Sequence, residues 1–130
     1  MAYAMTDNQD EKLTLLLGAS PNPDRASFEV LKALILKKIP VIAVGRREYE
    51  LEDIRILNNI PEDHGRIHTV TLYLSAQNQA EFIDRILALH PERIIFNPGT
   101  RNPGFSIVAR NKGIEVIEDC TLVMLKTGRY

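Results

Sequence analysis

The chain is 130 residues long, the size of one ordinary domain, and 16 Lys plus Arg against 17 Asp plus Glu give a formal net charge of −1. With four Phe, four Tyr and no Trp, it lacks the basic excess and interleaved aromatic side chains of a nucleic-acid binder, so no nucleic acid is expected as a partner. A single cysteine, Cys120, excludes an internal disulfide framework, which points to a reducing, cytoplasmic compartment. No apolar run approaches the roughly 20 residues that span a bilayer, so no membrane partner is expected.

Met1–Glu11 has neither the basic start nor the apolar core of a secretory signal and reads as a flexible polar leader to one domain over residues 12–130. Leu13–Leu17 reads as a first strand that runs into the small-residue turn Gly18-Ala19-Ser20-Pro21-Asn22-Pro23-Asp24-Arg25-Ala26-Ser27. A helix is predicted from about Ser27 to Lys38, with Phe28, Leu31, Leu34 and Ile35 on one face, Ser27 as N-cap and Glu29 in the first turn. Pro40 precedes a second strand, Val41–Val44, whose unbroken apolar run suits a parallel strand covered on both faces, and Gly45 ends it.

Between Arg46 and His68, the apolar residues Leu51, Ile54, Ile56, Leu57 and Ile60 fit a short helix, a small extra strand or a packed loop. Thr69–Leu74 reads as the third strand. Asn78–Leu89 reads as a helix with Phe82, Ile83, Ile86 and Leu87 inward and a capping-box-like start at Asn78 and Glu81. Arg93–Phe96 is a fourth strand, Asn102-Pro103 opens a third helix through Lys112, Gly113 is its left-handed cap, and Ile114–Ile117 is a fifth strand. Cys120–Leu125 reads as a packed apolar tail.

Right-handed crossovers between these strands predict an α/β, Rossmann-like, doubly wound three-layer sandwich. Its mainly parallel sheet has five strands in the order 3-2-1-4-5, with helices on both faces. The loops after the strands then frame one crevice, and the candidate cofactor-binding residues lie in them.

In the first loop Gly18 and Ala19 allow close backbone approach, while Ser20, Asn22 and Ser27 offer polar side chains near a helix N-terminus and Arg25 a full charge. The dinucleotide fingerprint G-x-G-x-x-G is absent, because Ser20 and Pro23 stand where its later glycines would be. A plain Pro-rich turn is the competing reading. After the second strand comes Gly45-Arg46-Arg47 rather than the Asp or Glu that accepts from an NAD ribose. Two guanidinium forks suit a ribose phosphate, which both NADP and coenzyme A (CoA) carry. The alternative is a solvated turn balanced by Glu48, Glu50, Glu52 and Asp53.

Tyr73, Leu74 and Ser75 offer a wall and a hydroxyl for an adenine or a pantetheine arm, although Tyr73 equally fits the edge of the core. Asn97, Pro98 and Gly99, with Thr100, are ligand contacts or an ordinary turn. His64 and His68 have i, i+4 spacing, but Pro61 and Gly65 favour a loop over a metal-binding helix, and His90 suits a helix end. No catalytic or metal-ligating set is assigned.

The stretch Gly18–Ser27, the turn Asn97-Pro98-Gly99-Thr100 and the segment Asp119-Cys120-Thr121-Leu122-Val123-Met124-Leu125 together resemble the small stand-alone CoA-binding domain proteins of bacteria. The likeness runs from about Leu13 to Tyr130 and extends more distantly to the CoA-binding N-terminal domain of the succinyl-CoA synthetase α subunit. It implies a Rossmann-like fold with the CoA pyrophosphate at the first βα turn and the adenosine 3′-phosphate near the strand 2 turn. Gly45-Arg46-Arg47-Glu48 stands where many relatives have an Asn-Pro pair. The synthetase's phosphohistidine belongs to a later domain, so the resemblance implies binding of CoA or an acyl-CoA without inherited catalysis. A small NADP-dependent oxidoreductase and an interaction domain with a vestigial cofactor site are the alternatives. Cys120 reads as an ordinary buried, inert thiol, with a mixed disulfide to the CoA thiol as the alternative.

Overall fold

The computed structural model describes residues 12–130, so the expected leader over Met1–Glu11 lies outside the described residues. Seven strands form one sheet: β1 (Thr14–Ala19), β2 (Val41–Gly45), β3 (Tyr49–Leu51), β4 (Ile54–Leu57), β5 (Thr69–Leu72), β6 (Arg93–Phe96) and β7 (Glu115–Glu118). Their spatial order is β3-β4-β2-β1-β5-β6-β7. All neighbours are parallel except the β3–β4 hairpin. The helices are α1 (Ala26–Leu36), α2 (Ala76–Gln79), α3 (Ile83–Leu89), α4 (Pro103–Asn111) and α5 (Thr121–Lys126), with a 3-10 turn over Ala80–Phe82 joining α2 to α3.

Strand residues alternate between the two faces. Leu15, Leu17, Val70, Leu72, Ile94 and Phe96 pack with Ile86 of α3 and with Phe105 and Ala109 of α4. Leu16 meets Leu31 of α1, and Ile95 meets Val30, Leu34, Met124 and Leu125 of α1 and α5. The Phe96 and Phe105 rings meet edge to face at 5.5 Å. The strand leucines Leu15, Leu16, Leu17 and Leu72 are wholly removed from solvent, and burial of one such side chain stabilises by about 1.5–3 kcal/mol. The Rossmann-like α/β class follows directly: a mostly parallel sheet buried on both faces between helices.

Two features of the expected sheet are corrected. It has seven strands rather than five, because Tyr49–Leu51 and Ile54–Leu57 form a hairpin inside the segment that composition left open. Thr69–Leu72 pairs with β1, so it does not lie outside β2 as the order 3-2-1-4-5 placed it. β4 takes that position, and the order holds only with Ile54–Leu57 as the third strand. The hairpin turn Glu52-Asp53 puts Glu52 at φ 56°, a left-handed conformation usually left to Gly or Asn.

Helix boundaries shift for local reasons. Arg25, extended at φ −89°, is the N-cap of α1, while Ser27 lies inside the helix and is buried. At the next helix the cap is Ser75, whose hydroxyl accepts from the Asn78 amide at 3.4 Å; Asn78, expected to start the helix, sits within α2. Asn102 caps α4 by accepting from the Phe105 amide at 3.2 Å, with Pro103 beginning the helix. His90 ends α3 in the left-handed conformation.

The sheet edges are modest. β7 carries Glu115 and Glu118 at its two ends with Val116 and Ile117 between them, and β3 on the opposite edge spans only three residues. Among the described residues, no helix is long and apolar enough to cross a membrane.

Candidate functional site

The chain leaves β1 and β5 toward opposite faces: α1 packs with α5, whereas Phe82, in the segment after β5, packs with the Leu15–Leu17 side of the sheet. A crevice therefore opens above the carboxyl ends of these strands, the place where doubly wound sheets bind ligands. It is a cleft of about 1000 Å³, at the large end of small-molecule sites.

Its floor is backbone. Gly18 adopts φ +94°, and a Cβ there would lie 2.7 Å from the Tyr73 carbonyl carbon and oxygen, so only glycine lets the first turn lie against the end of β5. Gly45 is equally constrained: its Cβ would fall 2.1 Å from the Ala19 oxygen, at the shift in register where β1 passes β2. Beyond Gly18, the Ser20 hydroxyl accepts from the Asn22 main-chain amide at 3.1 Å, and the Asn22 side-chain Oδ1 accepts from the Asp24 main-chain amide at 2.9 Å. The turn is thus braced by its own side chains, and the Ser20 hydroxyl keeps its proton for a ligand oxygen.

The walls carry charge. Arg25, Ala26 and Ser27 bring the start of α1 to the cleft, and no side chain caps that helix. Its first amides and the positive end of its dipole are consequently available to an anion. Arg46 and Arg47 line the cleft after β2. The three ion pairs among the described residues are Arg66–Glu92, Arg101–Glu118 and Arg129–Asp119; none engages Arg25, Arg46 or Arg47. Glu48, Glu50, Glu52 and Asp53, the neighbours invoked by the alternative of a solvated turn, likewise take no part in these ion pairs.

Gly18, Ala19, Ser20, Asn22, Arg25, Ser27, Gly45, Arg46, Arg47, Tyr73 and Leu74 all line this cleft. Burial, reinforced by the neighbouring Cys120, raises the Tyr73 phenol well above its ordinary range, so its hydroxyl remains a proton donor. Ser75, Asn97, Pro98 and Gly99 do not line the cleft. Ser75 is occupied as the α2 cap. Asn97 is buried in the interior, donating from Nδ2 to Thr71 Oγ1 and the Leu72 carbonyl and accepting the Thr121 amide at Oδ1, each at 2.8 Å. That side chain ties β5 and β6 to the start of α5. Gly99, at φ +87°, turns the chain beside exposed Pro98. Cys120 is a free, half-buried thiol that does not line the cleft.

Eight lining residues were not among the expected site residues: Pro21 and Ala26 in the first turn, Val44 at the end of β2, Asn58 and Asn59 after β4, and Asn78, Glu81 and Phe82 on the segment after β5. The pair Asn58-Asn59 directly follows the apolar run of β4, which is the signal that a strand-end loop was present. His64 and His68 lie in the loop between β4 and β5. There His64 Nδ1 shares a hydrogen bond with the Gly65 oxygen and His68 Nδ1 one with the Thr69 hydroxyl, both at 2.7 Å.

A Rossmann-like domain with a cationic, glycine-floored cleft at the carboxyl edge of its sheet is thus the class that fold and site define. Residues 12–126 match the model of a family described as the CoA binding domain. The chain belongs to that family. A solved structure described as an uncharacterized protein is 40% identical, with a TM-score of 0.85 over 92% of this chain and 98% of the other. A Thermus thermophilus protein, cell-free ID.343, is 21% identical, with a TM-score of 0.80 over 92% and 90%. A Ca. Korarchaeum cryptofilum protein described as a dinucleotide-forming acetyl-coenzyme A synthetase 1, in complex with phosphate and ADP, shares the fold at 13% identity. Its TM-score is 0.67 over 88% of this chain and 28% of that one. No curated protein matches.

Proposed function

We propose that this chain binds CoA or an acyl-CoA in the carboxyl-edge cleft. The pyrophosphate lies against Gly18–Ser20 and the start of α1, and the adenosine 3′-phosphate lies against Arg46 and Arg47. The observation that carries the reading is the alignment of three arginines outside any described ion pair, an uncapped helix start and a glycine floor along one cleft. Charge-assisted bonds from guanidinium and backbone N–H groups are the strong ones for phosphate. The proposed role is binding; none of the cleft residues is given a catalytic part.

Thermal unfolding with CoA, dephospho-CoA, NADP and NAD tests this reading. A ligand held only by the native state adds about 2.7 kcal/mol of stability at 100 times its dissociation constant. CoA is expected to give the largest shift and dephospho-CoA a smaller one. Equal shifts from these two would remove Arg46 and Arg47 from the 3′-phosphate. A dominant response to NADP would replace CoA as the ligand, and no response to any of the four would leave an interaction domain.

A further inference from the structure

The cleft is electrically lopsided. Its cations, Arg25, Arg46 and Arg47, sit on the α1 and β2 side, whereas its single lining carboxylate among the described residues, Glu81, sits with Asn78 and Phe82 on the segment that follows β5. Glu81 is exposed and takes no part in the three described ion pairs. A carboxylate in a polyanion site opposes binding unless it faces a part of the ligand that carries no phosphate.

The sheet order says which part that is. Across the carboxyl edge the strands run β2, β1, β5, so the arginine pair, the glycine turn and the Tyr73–Leu74 segment that follows β5 lie one after another in a row. CoA has the same linear order: ribose phosphate, pyrophosphate, then an uncharged pantetheine arm ending in a thiol or thioester. Laid along that row, the arm passes the side of the cleft that holds Tyr73, Leu74, Asn78, Glu81 and Phe82.

Resting on the CoA reading, we propose that Glu81 is a specificity-determining charge filter. It admits CoA and neutral acyl-CoAs and disfavours acyl groups that carry their own carboxylate. Phe82 offers apolar surface to the arm and Asn78 an amide, and neither of them rejects an anion; Glu81 does so through space.

The test is a calorimetric titration of the full chain and of Glu81→Gln with CoA, acetyl-CoA and malonyl-CoA, at low and at high salt. In the unmodified chain acetyl-CoA should bind about fivefold more tightly than malonyl-CoA at low salt, the effect of one like charge across a half-open cleft. The preference should shrink as salt is raised and fall close to unity in Glu81→Gln, a change at an exposed position that conserves shape. The ratio in the variant controls for the greater size of the malonyl group. Equal binding of the two thioesters by the unmodified chain, or a preference that survives Glu81→Gln, overturns the filter while leaving the CoA reading intact. Failure of CoA and acetyl-CoA alike to bind overturns both.

Discussion

Arg93 at the amino edge of the sheet and the cleft arginines at the carboxyl edge are used in opposite ways. At the amino edge the polar groups bond to one another. Arg93, at the start of β6, is buried and donates to the Thr69 hydroxyl at 2.8 Å and to the Tyr130 main-chain oxygen at 3.0 Å, with its guanidinium 4.5 Å from the Tyr130 ring centroid. Lys12 donates to the same oxygen at 2.8 Å, and the Tyr130 hydroxyl meets that of Thr14. At the carboxyl edge Arg25, Arg46 and Arg47 are exposed, engage none of the described ion pairs and face the cleft. Charge that is internally satisfied supports stability, and charge left facing a cavity is available to a ligand; one protein keeps the two a sheet's length apart.

The contrast breaks most severely at Arg93. Arg93→Ala removes two buried hydrogen bonds and a cation–ring contact, and it should cost about 3 kcal/mol in urea unfolding. The ligand affinity of the fraction that remains folded should be unchanged, and a large loss of that affinity would mean that the two edges are coupled. Next comes Gly18→Ala, which combines a left-handed backbone with a Cβ clash against Tyr73. It should cost about 2 kcal/mol or more by the same measurement and also weaken CoA binding, because the turn that must move is the cleft floor.

The converse experiment is the double change Arg46→Ala with Arg47→Ala. Unfolding stability should move by no more than about 0.5 kcal/mol, as for surface residues without internal partners. CoA affinity measured by calorimetry should fall about tenfold or more, while dephospho-CoA affinity holds. The smallest effect is expected from pH. Burial first, then the charges of Arg93 and Lys12, lowers the His68 pKa from its ordinary 6.5. Below about pH 6.5 the unfolded chain therefore takes up a proton that the folded chain resists. Thermal stability should decline as pH falls from 6.5 through the folded value and then level off, and His68→Gln should flatten that part of the profile.

Legibility in the sequence tracked how local each signal was. Arg93–Phe96 and the Asn102-Pro103 start are visible because a buried apolar run and a side-chain cap are decided within a few residues. The β3–β4 hairpin was not visible. Its turn uses Glu52 at a positive φ without a glycine to mark it, and its strands are three and four residues long. Missing that hairpin misplaced Thr69–Leu72, since the flank of β2 then looked vacant. In the site, Gly18, Gly45 and the arginine pair were legible from strand ends. Asn97 reads as a ligand contact or a turn residue and is an interior strut, because nothing local reveals that Thr71, Leu72 and Thr121 converge on it. Glu81 looked like part of a helix start and lines the cleft.

The glutamates that bracket β7 bear on how copies of the molecule behave in concentrated solution. If two copies joined their sheets through this edge in antiparallel fashion, the register that pairs all four residues would set Glu115 of each against Glu118 of the other. Like charges directly opposite are repelled, so the Val116-Ile117 centre is a poor template for runaway sheet extension. β3, at the far edge, presents only three residues with Glu50 in the middle. The sheet is thus finished at both margins by acidic side chains that guard against aggregation.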